Sequence, residues 1–151
     1  MSVPHRQQSK DGACLQACAR MVLASYGEEY SEEDLSTLLK SRDFGTHARN
    51  IKFLERIGYR VRFGPSTLEV IERELAAGHR VIAFVLADFL SWTKFAGLHA
   101  VVVIEQISET MMLIHDPSEE TGPQVVSCEE FLLAWGEFDN NAAFIWREKL
   151  T

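Results

Sequence analysis

From Gln8 to Gly27 the chain reads QSKDGACLQACARMVLASYG, and the prediction for the remaining residues is built around this segment. Small and apolar side chains recur at intervals of three and four residues, as on the buried face of a helix: Cys14, Ala17, Cys18, Met21, Val22 and Ser25. Asp11 is a favoured type of N-cap residue, and Gly27 is typical of a helix end. The segment therefore predicts a helix that begins after Asp11 and carries Cys14 in its first turn.

The position of Cys14 suggests a chemical role for its thiol. If Asp11 is the N-cap, Cys14 occupies the N3 position, where unpaired backbone N–H groups and the positive end of the helix dipole favour a thiolate over a thiol. Nucleophilic cysteines are commonly produced in this way. The alternative is that Cys14 is a small buried hydrophobic residue, as we expect Cys18 on the next turn to be.

Length and composition predict a single globular domain over residues 1–151. The chain is 46% hydrophobic and 25% charged, which is ordinary for a soluble domain. A net charge of −7 argues against nucleic-acid binding, because a phosphate-binding protein needs a basic surface. The same acidity favours a cationic or neutral partner.

The N-terminal residues MSVPHRQQSK contain no apolar signal-peptide core, and no segment approaches the roughly 18 apolar residues of a membrane span. We therefore expect no membrane segment and a protein that is cytoplasmic or exported without a classical signal peptide. Three cysteines do not form a disulfide framework. The cysteines and the five histidines show no CxxC or HxxxH spacing, so neither a metal site nor a cofactor is predicted.

The pattern of hydrophobicity changes between the two halves of the chain. The first half alternates capped amphipathic segments with glycine stops and is predicted to be mainly helical. The second half contains apolar strand-like runs, RVIAFVL from Arg80, HAVVVIEQ from His99 and TMMLIHD from Thr110. We therefore predict an α+β fold, in which the helix that carries Cys14 packs on a C-terminal antiparallel sheet.

The last two of these runs place a histidine and a carboxylate close together. If a two-residue hairpin loop joins them, either Ile107–Ser108 or Ser108–Glu109, His99 and Asp116 lie directly or diagonally opposite on one face. A three-residue loop would separate them. Asp116 would orient His99 and stabilise its charged form, and His99 would hold Cys14 as a thiolate.

Four further side chains, Gln8, Trp92, Phe95 and Leu98, are candidates for contact with a substrate. Gln8 precedes the Cys14 helix, so its amide could join the Cys14 backbone N–H in an oxyanion hole. Trp92 and Leu98, with Phe95 between them, precede His99 and are predicted to line a substrate cleft. Packing of the loop aromatics on the core is the alternative for Trp92 and Phe95.

At these positions the sequence resembles the C39 peptidases, the bacteriocin-processing group of papain-like cysteine peptidases. Gln8, Cys14 and the residues up to Gly27 look like the N-terminal signature of that family, and the GLHAVVV and HDP motifs resemble its histidine and aspartate motifs. The resemblance implies a papain-like fold with Cys14 as nucleophile, His99 as general base and acid, and Asp116 as its orienting partner. It also implies that Gln8 is the oxyanion-hole donor.

The chain departs from the family pattern. The family usually has Asp-Cys-Gly at the nucleophile, whereas this chain has Ala13-Cys14-Leu15 with the aspartate displaced to Asp11, and Leu15 in place of glycine would narrow the space beside the thiolate. The best-known members are fused to membrane transporters and cleave leader peptides after a double glycine, whereas no membrane or ATP-binding part is present in this sequence. We therefore do not carry over that substrate.

The leading hypothesis is a stand-alone cysteine peptidase that acts on a protein or peptide substrate. Its small size and isolation suggest a toxin or effector, for which a proteinaceous inhibitor would be a further partner. Two alternatives stay open. A papain-like transferase would pass the acyl group to an amine or thiol, and a non-catalytic C39-like module would bind a peptide without cleaving it.

Overall fold

The computed structural model describes residues 2–94 and 96–148, in which helices cover both faces of one six-stranded sheet. The α-helices are α1 (Cys14–Ser25), α2 (Glu32–Leu38), α3 (Leu68–Ala76) and α4 (Cys128–Gly136), and 3₁₀ helices span Ala48–Ile57 and Ala87–Phe89. The strands are β1 (Tyr59–Pro65), β2 (Arg80–Leu86), β3 (Leu98–Gln106), β4 (Met111–His115), β5 (Gln124–Ser127) and β6 (Asn141–Arg147). No helix in the described ranges is long and apolar enough to cross a membrane.

Every neighbouring pair of strands in the sheet is antiparallel, and the strand order is β1-β6-β2-β3-β4-β5. The apolar run of β2 is buried from Val81 to Val85, and that of β3 from His99 to Val103. Continuous burial of this kind is expected for central strands that are covered on both faces. The predicted α+β fold is confirmed, although β1 from the mainly helical half also joins the sheet.

Alternate residues of the central strands contact different sets of helices. Ile82 and Ala100 belong to the core that includes α1, α2 and the longer 3₁₀ helix. Val81 and Val101 belong to a second core, together with α3 and α4. Because successive strand side chains point to opposite faces, this division places the Cys14 helix on one face of the sheet and α3 and α4 on the other.

The hairpin between β3 and β4 differs from the prediction. The last paired residues are Gln106 and Met112, and the chain between them forms a loop closed by a 3.0 Å bond from Ile107 N–H to the Met111 carbonyl. This loop is longer than two residues. A one-residue register shift between Val103 and Glu105 offsets the difference, so that Val102 pairs with His115 as it would with a two-residue Ser108–Glu109 loop. The bulge thereby restores the register that brings His99 and Asp116 together.

The start of α1 also differs from the prediction. Asp11 makes no cap, the N-cap position is Ala13 without a side-chain hydrogen bond, and Cys14 is the first helical residue instead of the third. The cause lies in Lys10–Ala13, which forms a turn closed by a 3.3 Å bond from Ala13 N–H to the Lys10 carbonyl. Gly12 in this turn has a φ of +82°, which favours glycine and holds Asp11 outside the helix.

Candidate active site

Cys14 lies at the mouth of a cleft, at the N-terminal end of α1. Its side chain is partly exposed and lines the cleft, whereas Cys18 on the next turn is fully buried and Cys128 nearly so. As the first residue of the helix, Cys14 has a backbone N–H with no partner inside the helix. Burial, followed by the nearby Cys14 and Asp116, raises the pKa of Cys18. Cys14 is therefore the cysteine best placed to react with a substrate.

His99 and Asp116 form a buried pair beside Cys14. The His99 Nε2 atom lies 2.6 Å from Asp116 Oδ1, and the two side chains are at most 1% exposed. Since Nε2 contacts Asp116, Nδ1 is the ring nitrogen left for the hydrogen bond that His99 makes with Cys14. The structure thus brings the three predicted residues together in the order Cys14, His99, Asp116.

Asp116 accepts hydrogen bonds from three residues. Besides His99, its Oδ1 accepts the Ser118 backbone N–H at 2.8 Å and the Ser118 hydroxyl at 2.7 Å, while Oδ2 accepts the Trp92 indole N–H at 2.8 Å. Burial alone would raise the pKa of Asp116, but the bond to His99, the charge of His99 and the bonds from Ser118 and Trp92 lower it to about 2. The carboxylate is therefore held ionised and in a fixed orientation.

The same contacts control the charge of His99. Burial alone lowers the pKa of His99, whereas the hydrogen bonds and negative charges of Asp116 and Cys14 raise it, and the net result is a pKa of about 9. The imidazole is consequently protonated at neutral pH. A positively charged His99 next to Cys14 is the arrangement that stabilises a thiolate.

Gln8 lies in the same cleft and is tied to the loop that follows Asp116. Its backbone N–H donates to the Pro117 carbonyl at 2.7 Å, and its side-chain Nε2 donates to the Lys10 carbonyl at 2.9 Å. Its Oε1 is buried without a hydrogen-bond partner among the described residues.

The cleft has a volume of about 770 Å³ and is lined by three chain segments and by Ser118. One wall contains the Gln8–Gly12 segment together with Arg42, Phe44 and Gly45 of the Arg42–Gly45 turn, and Leu98 and His99 at the start of β3 also line the cleft. Backbone bonds of 2.9 Å and 3.1 Å between Arg42 and Gly45 close the turn. The two segments of the first wall are in close contact, because a Cβ on Gly12 would lie 3.0 Å from the Asp43 carbonyl oxygen.

Gly12→Ala is expected to lower the free energy of unfolding by about 1–3 kcal/mol, because alanine must adopt a left-handed φ and its methyl group meets the turn at Asp43. Chemical denaturation checks this value. Gly78→Ala is the matched control, since Gly78 has a similar φ of +86° but nothing within 4 Å of the added Cβ. An equal loss in both variants would show that contact with the turn has no effect.

The candidate substrate-binding residues have different positions. Leu98 lines the cleft and is 49% exposed. Trp92 is not among the residues that line the cleft. It packs with the core on the α3 and α4 face, and its indole N–H donates to the Asp116 carboxylate. Phe95 lies outside the described residues.

Sequence reasoning missed Ser118, the contact of Trp92 with Asp116, and the Arg42–Gly45 turn. Ser118 could have been found, because Asp-Pro-Ser is typical of a turn in which the aspartate accepts the N–H two residues later. The other two depend on contacts between residues distant in sequence. Within residues 2–94 and 96–148, no group of three or more His, Cys, Asp or Glu side chains converges to hold a metal ion.

The fold matches those of known peptidase domains. The peptidase domain of Streptococcus ComA, a bifunctional ABC transporter, superposes with a TM-score of 0.78 at 21% identity, covering 95% of this chain and 97% of that one. A C39-like peptidase from Bacillus anthracis gives 0.77 at 16% identity, with 98% and 96% covered. A double-glycine-motif protease from an AMS/PCAT transporter, solved with a leader peptide, gives 0.70 at 19% identity, with 98% and 93% covered. These similarities establish a shared fold.

Sequence comparison identifies the family. No curated protein matches the chain significantly. The family model described as the peptidase C39 family, however, matches residues 2–149, which is nearly the whole sequence. The chain therefore belongs to the peptidase C39 family and is a cysteine peptidase.

Proposed function

We propose that this peptidase cleaves a peptide bond in a protein or peptide substrate through a triad of Cys14, His99 and Asp116. The observation that carries the proposal is the series of contacts from the buried Asp116 through His99 to Cys14, which lines the cleft. The charges of these three side chains suit the chemistry. An ionised Asp116 favours a protonated His99, and a protonated His99 favours a Cys14 thiolate.

In the first step, the Cys14 sulfur forms a bond to the carbonyl carbon of the scissile peptide, and the carbonyl oxygen becomes an oxyanion. His99 then donates its proton to the leaving nitrogen as the C–N bond breaks. The products of this step are a free amine and a thioester on Cys14.

In the second step, His99 accepts a proton from water while the water oxygen bonds to the thioester carbon. Departure of the Cys14 sulfur releases the carboxylic acid and restores the thiolate and the imidazolium. Asp116 acts through His99 in both steps, since its carboxylate fixes the ring orientation and stabilises the charged form.

Gln8→Ala is expected to lower kcat by about 10²–10³, because Gln8 would donate one of the two hydrogen bonds to the oxyanion and the Cys14 backbone N–H the other. Steady-state kinetics on a fluorogenic peptide measures this loss. Gln124, on the edge strand β5 and outside the cleft lining, provides the control, and Gln124→Ala should retain wild-type kcat. A Gln8→Ala enzyme within threefold of wild type would exclude an oxyanion-hole role.

The pH profile of kcat/KM should show an alkaline limb near pH 9. Cleavage requires a protonated His99, whose pKa is about 9, so the active form is retained below that pH and lost above it. Because Asp116 raises this pKa, the limb of the residual Asp116→Asn activity should move to lower pH. An identical limb in both enzymes would contradict the assignment of the limb to His99.

The proposal is tested directly by trapping the intermediate. A rapidly quenched reaction should contain enzyme with an acyl group on Cys14, located by mass spectrometry, and His99→Ala should not accumulate it.

Repeating the reaction with an added amine separates hydrolysis from transfer, because a transferase would yield the amide product. Intact proteins are tested beside peptides, since the toxin or effector hypothesis requires a specific protein substrate. A protein that binds peptides but forms no thioester would be a binding module.

A further inference from the structure

The charge of the catalytic cleft is opposite to that of the whole chain. The sequence contains 22 acidic and 15 basic residues, with a net charge of −7. The residues that line the cleft nevertheless include three cations, Lys10, Lys40 and Arg42, and a single carboxylate outside the catalytic machinery, Asp11. All three cations come from the wall formed by the segment before α1 and the chain around the Arg42–Gly45 turn.

These cations are available to a ligand. Some other surface arginines are paired with carboxylates, as in Arg6–Glu29 at 2.8 Å and Arg60–Glu148 at 2.9 Å. Lys10, Lys40 and Arg42 make no ion pair with any described residue. The Lys40 ammonium instead lies 4.8 Å from the centre of the Phe53 ring. Since like charges held together repel one another, an anionic ligand would be favoured at this wall.

The same wall presents an unusual apolar side chain. Phe44 lies at the tip of the turn and is 85% exposed, although the turn itself is held firmly by its own hydrogen bonds and by the close approach of Gly12. Leu98, 49% exposed, lines the same cleft from β3. An exposed phenylalanine gains most when an apolar group covers it.

We infer that the substrate is an acidic peptide, which places carboxylates against Lys10, Lys40 and Arg42 and an apolar side chain against Phe44 and Leu98. This inference rests on the proposed function for its setting, because it names the substrate class of the same cleft. It also reverses the expectation of a cationic or neutral partner that follows from net charge alone. A local field of opposite sign to the whole chain steers ligands to the cleft and away from the remaining surface.

The carboxylates of such a peptide belong either to aspartate or glutamate side chains or to its C-terminus. Both give the same contacts with ammonium and guanidinium groups. The experiment therefore uses fluorescein-labelled dodecapeptide pools of Leu, Ala and Gly that contain four Glu, four Gln or four Lys residues. Each pool is prepared with a free and with an amidated C-terminus.

Binding to Cys14→Ala is measured by fluorescence anisotropy, which does not require cleavage. The Glu pool should bind about tenfold more tightly than the Gln pool at 50 mM NaCl, with a smaller ratio at 300 mM because salt screens exposed charges. If side chains are the source, amidation has little effect. If the terminus is the source, the free-acid Gln pool should bind about threefold more tightly than the amidated Gln pool.

Reversing the charge of two of the cleft cations tests whether they cause the preference for the Glu pool. In the Cys14→Ala background, Lys40→Glu combined with Arg42→Glu should invert the preference so that the Lys pool binds best. Arg73→Glu is the matched control, because Arg73 is an exposed cation on α3, which packs on the opposite face of the sheet, and it should leave the preference unchanged.

Equal binding of all pools, or the same loss of preference in Arg73→Glu, would overturn the inference. Cleavage of the pools by the wild-type enzyme is measured separately. Cleavage without preference for Glu would leave the proposed function intact and refute only the acidic substrate. Selective binding of the Glu pool without any cleavage would refute the peptidase mechanism and retain the inference about the ligand.

Discussion

Cys14→Ala should abolish peptide cleavage, with kcat reduced by about six orders of magnitude, because no other group in the site can form the thioester. The fold should survive, since Cys14 is partly exposed at a helix end and alanine is a good helix former. Circular dichroism and thermal denaturation establish the fold, and a fluorogenic peptide assay measures the rate.

Cys18 provides the matched control for this substitution. It lies one turn later on the same helix and is fully buried, so Cys18→Ala should retain cleavage while it lowers the free energy of unfolding by about 1 kcal/mol. The two variants thus have opposite expected effects on activity and stability. Retained cleavage in Cys14→Ala would exclude the thioester mechanism.

Asp116→Ala should have the second largest effect, on stability and on activity together. The substitution removes a fully buried carboxylate and leaves the donors of His99, Trp92 and Ser118 without their acceptor. Breaking a buried charged pair in this way costs about 3–5 kcal/mol of the free energy of unfolding, a large share of the total for a domain of this size. Activity should fall by about four orders of magnitude because His99 loses its orientation and its counter-charge.

Asp116→Asn separates the two effects. Asparagine keeps the shape of the side chain and one acceptor oxygen, so the loss of stability should be smaller than in Asp116→Ala. The loss of activity should remain large, since the negative charge that holds the His99 proton is removed. Urea denaturation and kcat/KM measured on both variants give the comparison. An asparagine variant with wild-type kcat/KM would contradict the role assigned to Asp116.

The residues of the proposed triad stand out in the sequence because each lies at a recognisable point of a regular element. Cys14 begins an amphipathic helix, His99 begins an apolar strand, and Asp116 follows the end of the neighbouring strand. Periodicity places such residues in their elements, and the similarity of the motifs to C39 peptidases indicates which of them act together. The α+β class follows from the same change of period.

Two differences from the prediction, at the start of α1 and in the β3–β4 hairpin, have causes that the sequence patterns used for the prediction do not contain. The first turn of α1 follows a Lys10–Ala13 turn in which Gly12 has a positive φ, and a capping preference for Asp11 does not contain this turn. The β3–β4 register depends on a bulge between Val103 and Glu105, whereas the prediction derived the register from the length of the loop alone. Val102 nevertheless pairs with His115, as it would with a two-residue Ser108–Glu109 loop, because the bulge compensates for the longer loop.

Net charge also gives no information about the charge of the residues that line the cleft. A sum over the sequence cannot show that Lys10, Lys40 and Arg42 line one cleft. The position of Trp92 also depends on the fold. This loop aromatic was expected to line the cleft, but its indole N–H donates to Asp116 instead. Residues of this kind are identified only when the fold has brought them together.

The most direct test of the proposed mechanism is the rate of iodoacetamide labelling at Cys14 between pH 5 and 10, in wild type and in His99→Ala, with the modified site located by mass spectrometry. An ion pair with His99 predicts fast labelling at pH 6, well below the range in which an ordinary thiol with a pKa of about 8.5 ionises, and loss of that labelling in His99→Ala. The buried Cys18 should stay unlabelled in the folded protein. Labelling of Cys14 that rises only above about pH 8.5, with the same profile in both proteins, would contradict the proposed triad.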